Sequence, residues 1–354
     1  MYINFTAIDS TQLIRFALIG CGRIATNHIS AIKHHHTFCK LVAVCDINAD
    51  NLIKVVNETQ ATPYNNIVDM LESKTFDAVI LATPSGLHAK QTILCAKYGY
   101  HVITEKPMAT KFTDGIQMVN ACDEHEVRLF VVKQNRNNAT IKLLKETIDN
   151  KRFGKIYNVQ CNVFWTRPQA YYDLSKWRGT WEFDGGAFMN QASHYVDLLE
   201  WLIGSVESVQ SYTATQARDI EVEDSGVVIL KWRSGTLGAM NVSMLTYPQN
   251  LEGSITIIGE NGTVQIGGIA LNEIKTWRFK DETIDDVNIK NANYQINSVY
   301  GDGHIGYYDN IIKTLYGQEE ANTDGRSGLK SLELLTAIYM ASGKGKKICL
   351  PLHQ

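Results

Sequence analysis

Residues 15–46 constrain this chain more than any other stretch. They run from Arg15-Phe16-Ala17-Leu18-Ile19 into Gly20-Cys21-Gly22-Arg23-Ile24-Ala25, then through a helical segment to Leu41-Val42-Ala43-Val44-Cys45 and Asp46. An apolar run of strand length meets a glycine turn. The turn opens a helix, and a second apolar run ends in a carboxylate. This is the strand–helix–strand order of a dinucleotide-binding half. Gly20 allows the tight turn, and Gly22 lets the backbone approach a pyrophosphate. The phosphate charge is met by open N–H groups at the helix start, around Arg23 and Ile24, and Arg23 adds a cation. Asp46 stands 24 residues after Gly22, where a carboxylate can hold both adenosine ribose hydroxyls. Its charge repels a 2′-phosphate, so the expected cofactor is NAD rather than NADP.

The rest of the chain supplies two kinds of pattern. From 15 to about 132, short apolar runs (16–19, 41–45, 78–82, 101–104 and 129–132) alternate with amphipathic segments such as 90–97 and 112–123. Strands alternating with helices imply a doubly wound parallel sheet of Rossmann type. The pattern changes near Asn137. After a helix at 139–149 come alternating segments at 156–165, 206–215, 227–232, 237–245, 254–258 and 274–279. Period-two alternation implies a large, mostly antiparallel open sheet with one face exposed. A helix at 187–202 interrupts it. Two more, at 307–315 and 329–341, are expected to cover the sheet or return to the first domain. The fold class is therefore α/β plus α+β. Residues 1–14 are a poorly ordered lead-in, 15–136 an NAD-binding domain, and 137–354 a substrate-binding and oligomerisation domain.

Composition narrows the function. A net charge of −3 on 354 residues offers no global field for nucleic acid or an acidic membrane. The start of the chain lacks a basic segment followed by an apolar core, and the apolar runs are far too short to span a bilayer. The seven cysteines contain no CxxC pair, which suits reduced thiols in a cytoplasmic protein. His34-His35-His36 is expected to be a solvated helix end, and no metal site is expected.

Several stretches carry chemistry. Thr83-Pro84-Ser85 follows a buried strand at the sheet's carboxyl edge, where ligands bind, with His88 just after it. Thr83 and Ser85 offer hydroxyls to a ligand, although Ser85 alternatively N-caps the next helix and His88 has the same option. In Glu105-Lys106-Pro107, the proline holds Lys106 out of helical geometry and aims it at the cleft. A lysine there can hold a substrate oxygen as charge develops; the plainer alternative is a surface ion pair. In the helix after Gly185-Gly186, Asn190, His194 and Asp197 fall at i, i+4 and i+7, one face of an otherwise apolar helix. Unpaired polar groups on a buried face are costly, so the stripe reads as an active-site face, with His194 the natural general base. Asp197 either orients the imidazole or bonds backbone. Local cations and flat rings come from Gln134 and Arg136 at the domain junction, from Arg167 with Tyr171 and Tyr172, and from Trp177-Arg178. Forked guanidinium donors suit phosphate and carboxylate. Tyr308 is a weaker candidate for closing the site.

Gly20-Cys21-Gly22-Arg23-Ile24-Ala25, Glu105-Lys106-Pro107, Trp177-Arg178, and Gly185-Gly186 with Asn190 and His194 together resemble the Gfo/Idh/MocA family of NAD(P)-dependent sugar oxidoreductases, over about 15–350. Longer stretches at 105–110, 133–136, 162–168, 181–197 and 244–248 resemble, within it, members that act on a UDP-sugar in lipopolysaccharide O-antigen synthesis. The resemblance implies oxidation of the C3 hydroxyl of UDP-N-acetylglucosaminuronic acid by NAD, a downstream PLP aminotransferase, and a homotetramer. It implies Lys106, His194 and Asn190 as catalytic residues, with His194 or Lys106 taking the proton. Cofactor contacts would come from Gly20, Gly22, Arg23, Ile24, Asp46, Thr83, Pro84, Ser85, His88, Glu105, Lys106, Gln134, Trp177 and Arg178. Substrate contacts would come from Lys106, Arg136, Arg167, Tyr172, Asn190, Gln191, His194 and Tyr308. Many family members carry Asp four residues before the histidine, where this chain has Asn190. Two alternatives stand beside this reading: a sugar or inositol dehydrogenase indifferent to UDP, and a dinucleotide-binding sensor without chemistry.

Overall fold

The computed structural model describes residues 5–281, 283, 286, 289, 291–295 and 303–352. The chain forms two compact units: Met1–Lys133 with His304–Leu332, and Gln134–Gly303 with Glu333–Gln354.

The first unit alternates strand and helix in the expected order. It runs β1 (Ile14–Ile19), α1 (Ala25–His34), β2 (Cys39–Cys45), α2 (Ala49–Thr59), β3 (Thr62–Tyr64), α3 (Ile67–Glu72), β4 (Ala78–Leu81), α4 (His88–Lys97), β5 (His101–Thr104), α5 (Phe112–Glu124) and β6 (Leu129–Val131). Among the described residues the sheet order is β3-β2-β1-β4-β5-β6, and every pairing is parallel. Its central strands are buried on both faces, which is why they read as continuous apolar runs. The short β3 gave no such run; it is an edge strand, the place that tolerates Pro63. The strand order reverses between β1 and β4, and the loops that follow these two strands meet there. Gly20 adopts φ +94°, and a Cβ on it would stand 2.6 Å from the Ala82 carbonyl oxygen. Only glycine fits this crossing.

Two expectations change here. The single division expected near residue 136 does not describe the first unit, because the chain returns to it at 304–332. Tyr307, Tyr308, Ile311, Ile312 and Leu315 join the core made by Phe16, Leu18 and Ile29. They lie on α9 (Gly303–Leu315), whose apolar stripe finds its partner surface in this unit. The lead-in is also tied down over its described part. The Ile8 amide donates to the Leu315 carbonyl at 2.9 Å, and the Phe5 ring lies under the Arg128 guanidinium at 4.2 Å. Residues 1–4 lie outside the described residues.

The second unit holds α6 (Ala139–Asp149), β7 (Ile156–Phe164), α7 (Gln169–Asp173), α8 (Ser193–Ile203), β8 (Val206–Ala214), β9 (Ser225–Trp232), β10 (Leu237–Ser243), β11 (Glu252–Gly259), β12 (Gly262–Gly267) and β13 (Glu273–Phe279). The end of α10 (Gly325–Lys344) and β14 (Ile348–Cys349) complete it. Among the described residues its sheet order is β13-β12-β11-β7-β10-β9-β8-β14, antiparallel except for the β7–β10 pair. Alternation holds along β9, where Val228, Leu230 and Trp232 are buried while Val227 and Ile229 are exposed. The helix expected over 187–202 is two pieces. A π-turn spans Ala187–Gln191, closed by the Ala192 amide on the Ala187 carbonyl at 2.8 Å, and α8 starts afresh at Ser193.

Candidate active site

The glycine turn of the first unit has the chemistry of a dinucleotide cradle. The Gly20 amide donates to the Cys45 carbonyl at 2.8 Å and pins the turn to β2. Asp46 accepts from the Cys21 amide at 2.6 Å with Oδ2 and from the Asn48 amide at 2.7 Å with Oδ1. One carboxylate therefore braces both loops, and each oxygen retains a lone pair for a ribose hydroxyl. Among the described residues no side chain caps α1 and no acid sits in its first turn, which suits an anion at this helix start, although the Ala25 and Asn27 amides turn back to the Gly22 and Ile24 carbonyls at 3.1 Å. A Cβ on Gly22 would meet open space, and Arg23 and Ile24 flank it on the approach to α1. These residues fit NAD.

The next two loops behave differently from the sequence expectation at several positions. The Thr83 hydroxyl donates to Gln91 Oε1 at 2.6 Å. Pro84 is extended, and buried Ser85 opens a short 3-10 turn, Ser85–Leu87, so Ser85 does not cap α4. His88 does not cap it either. Its ring nitrogens lie 2.9 Å from the Thr83 carbonyl and 2.9 Å from the Pro107 carbonyl. Burial pushes its pKa down, although both carbonyl contacts oppose that shift. His88 thus ties the loop after β4 to the loop after β5 from inside the protein, as an anchor and not as a ligand.

Glu105 also turns inward. His28 Nε2 lies 3.1 Å and His304 Nε2 3.5 Å from the same oxygen, Oε1, while the Lys106 amide donates to Oε2 at 3.1 Å. One side-chain atom from each of His28, Glu105 and His304 lies within 4.8 Å of the others, a spacing these hydrogen bonds account for. The Tyr308 hydroxyl is 2.8 Å from His28 Nδ1. A tyrosine donating to Nδ1 leaves His28 Nε2–H to donate to the carboxylate. Burial raises the pKa of Glu105, but the two histidines pull it well below the ordinary carboxylate range. Burial outweighs Glu105 at His28 and keeps that ring neutral. The group therefore supports the strand end from which half-buried Lys106 emerges. Tyr308 is 0% exposed and sits in the core, which removes it as a substrate contact. The polar group it satisfies, His28, was invisible as a partner in the sequence.

In the second unit, Gln134 and His194 come together. The Gln134 side-chain nitrogen is 3.1 Å from His194 Nε2. The two side chains are thus within hydrogen-bond distance of each other. Asn190 lies on the π-turn, not on one α-helical face with His194, and its amide donates to Asp184 Oδ1. Asp184 is fully buried and takes the Gly179 amide on its other oxygen at 2.8 Å. Gln191 is buried in the same turn.

Arg136 and Asp197 pair with each other. Nε donates to Oδ2 at 2.8 Å and Nη2 to Oδ1 at 2.7 Å, and the guanidinium lies 5.1 Å from the Trp201 ring centre. The bidentate pair engages both the guanidinium expected to meet a substrate anion and the carboxylate expected to orient His194. Arg167 and Arg178 are different. Their guanidinium carbons sit 5.3 and 4.4 Å from the Tyr171 ring centre, and Arg178 also lies 4.7 Å from its neighbour Trp177. Among the described residues, Arg167 donates only to neutral oxygens, on Thr166 and Asn250, and Arg178 Nε is buried without a partner. Tyr172 is buried beside them, and burial holds its phenol neutral.

Asp184, Glu223, Tyr339, His28 and His304 were not singled out from sequence. Asp184 stands directly before the double glycine, and Glu223-Asp224 is an acidic pair directly before the alternating strand β9. Charged residues at those places are the available signal. No motif announces the two histidines.

Two family descriptions and several solved structures match the chain. Residues 14–133 match the GFO_IDH_MocA description "Oxidoreductase family, NAD-binding Rossmann fold", and residues 145–350 match "Oxidoreductase family, C-terminal alpha/beta domain". A crystal structure of the WlbA dehydrogenase from Bordetella pertussis, in complex with NADH and UDP-GlcNAcA, is 59% identical, with TM-score 0.95, covering 97% of this chain and 99% of that one. The WlbA dehydrogenase from Chromobacterium violaceum, with the same two ligands, is 58% identical, with TM-score 0.94 and 100% coverage of both chains. Myo-inositol 2-dehydrogenase from Thermotoga maritima is 27% identical over 262 residues, 71% of this chain and 74% of that protein.

Proposed function

The chain belongs to the Gfo/Idh/MocA oxidoreductase family, and from that premise we propose that it oxidises the C3 hydroxyl of UDP-N-acetylglucosaminuronic acid with NAD. The observation that carries this reading is the 59% identity, over 97% of the chain, to a dehydrogenase solved with NADH and that UDP-sugar. Within the chain, the glycine turn with Asp46 supports the choice of NAD over NADP. Arg167 and Arg178, stacked on Tyr171 and without carboxylate partners among the described residues, support a substrate that carries several negative charges.

Bound NAD supplies the hydride acceptor. His194 takes the hydroxyl proton, because an imidazole is the side chain whose ordinary pKa suits a base near neutral pH. Lys106 and Asn190 hold the reacting oxygen, the lysine by charge and the asparagine by an amide whose nitrogen Asp184 fixes. The carbonyl left at C3 suits a PLP aminotransferase as the next enzyme, in lipopolysaccharide O-antigen synthesis in the cytoplasm. No helix among the described residues is long and apolar enough to cross a membrane. A homotetramer is supported by Val227, Ile229, Leu237 and Tyr212, exposed apolar residues on the second unit's sheet.

The test is NADH formation with UDP-N-acetylglucosaminuronic acid, the same uronate without UDP, and myo-inositol. Turnover is expected with the first alone. Equal turnover without the UDP group, or with myo-inositol, overturns the substrate assignment. His194→Ala is expected to abolish turnover and leave NAD affinity intact.

A further inference from the structure

The geometry points to Glu223 as a positioning residue: with Tyr339 it clamps the start of the π-turn and so sets where Asn190 presents its amide. A helix start leaves its first amides without partners inside the helix. Here three successive amides are met from outside the segment. The Ala187 amide donates to the Glu223 main-chain carbonyl at 3.0 Å, the Phe188 amide to Glu223 Oε1 at 2.9 Å, and the Met189 amide to the Tyr339 hydroxyl at 3.1 Å. The Tyr339 hydroxyl donates in turn to Glu223 Oε1 at 2.8 Å. The two side chains form one unit, brought from the segment before β9 and from α10. Glu223 is 3% exposed, and the turn is built around it. A Cβ on Gly186 would fall 1.7 Å from Glu223 Oε2, so only glycine lets the carboxyl group lie this close.

The consequence for the reaction follows from the turn's register. The Asn190 amide nitrogen bonds the Gly186 carbonyl at 2.9 Å, and the Ala192 amide reaches back to Ala187, five residues away. A π-turn carries one more residue than an α-helix over the same bond, which redirects every side chain in it. An unclamped segment is free to relax to α-helical spacing, which would swing Asn190 away from Asp184 while α8 and His194 stay in place. Glu223 touches no reacting atom in this scheme; it acts through the backbone that carries Asn190.

The inference rests on the role given to Asn190 above, and its test is separable from that reading. Amide hydrogen exchange of residues 187–189 is measured in the wild type, Glu223→Ala, Glu223→Gln and Tyr339→Phe, together with kcat and KM for UDP-N-acetylglucosaminuronic acid. Glu223→Ala is expected to speed exchange at these amides while α8 stays protected. It should lower kcat on the order of 10- to 100-fold, as misplacement of a reactive group does, with little change in the KM for NAD. Tyr339→Phe is expected to do the same more weakly. Glu223→Gln keeps an oxygen where Oε1 lies and should restore most of both properties. Unchanged exchange in Glu223→Ala overturns the proposal. So does a glutamine variant no better than alanine, or a loss of protection spread through the whole unit, which would mark a merely structural residue. A wild type that does not turn over the UDP-sugar fails the substrate assignment alone, and the exchange data still decide the clamp.

Discussion

The guanidinium of Arg136 faces the carboxylate of Asp197 edge to edge, with two parallel hydrogen bonds of 2.8 and 2.7 Å. Both side chains are largely buried, at 11% and 3% exposure. A pair so placed is a structural unit that links the 134–137 segment to α8.

Arg136→Ala strands the Asp197 charge in the interior. It is expected to cost about 3–5 kcal/mol of stability, the usual penalty for breaking a buried pair from one side. Denaturant unfolding reads this directly. Arg167→Ala is expected to behave in the opposite way, raising the KM for the UDP-sugar and leaving the unfolding midpoint nearly unchanged. A stable Arg136→Ala protein with a raised KM would return Arg136 to the substrate site.

Tyr308→Phe removes a hydroxyl and leaves the ring in the core. The loss of its bond to His28 is expected to cost about 1 kcal/mol, with kcat and KM for the sugar close to wild type. A raised KM would show that Tyr308 reaches substrate after all.

The Glu105 group predicts acid lability. The pKa of Glu105 is held below its ordinary 4.5 and that of His28 below its ordinary 6.5. For both, the unfolded chain binds protons first as pH falls, so the stability they contribute is present at neutral pH and declines on acidification. His28 acts from pH 6.5 downward and Glu105 from 4.5 downward. Unfolding midpoints measured against pH are expected to fall through this range, and Glu105→Gln should flatten the lower part of the fall. A wild-type midpoint independent of pH in this range would contradict it.

Glu223 predicts the reverse sign. Burial raises its pKa from 4.5 to about 7. The folded state therefore binds the proton more tightly, its contribution is complete below pH 4.5, and it is lost as pH rises through about 7. At 1.36 kcal/mol per pKa unit the term is roughly 3 kcal/mol at most. The difference in stability between wild type and Glu223→Gln is expected to change sign or shrink across this window, as measured by urea unfolding at each pH. A constant difference would mean that Glu223 does not titrate there.

Asp46→Ala is expected to weaken NAD binding and to narrow the preference for NAD over NADP. It should also lower stability, because the Cys21 and Asn48 amides lose their shared acceptor. Fluorescence titration with both dinucleotides separates the two effects. Unchanged discrimination would remove Asp46 from cofactor selection.

What the sequence determined by itself is local. The glycine turn at Gly20, the acid at Asp46 and the alternation of apolar runs with helices specify the dinucleotide-binding half, because each depends on neighbours along the chain or on a repeat in residue spacing. Period-two alternation likewise announced the second sheet, apart from β12, whose alternating run between two glycines is only four residues long, and the two-residue β14. Tertiary structure alone decided which polar residues face a ligand and which face each other. Arg136 and Asp197 are 61 residues apart, Glu105 and His28 77, Tyr308 and His28 280, and Glu223 and Phe188 35. A buried charge or hydroxyl must find a partner, and the residue type states that need. It does not state where the partner stands, since only the folded chain brings such distant positions together. The π-turn belongs to the same class: its spacing is held by Glu223 and Tyr339 from other segments, and nothing within residues 187–191 distinguishes it from one more turn of α-helix.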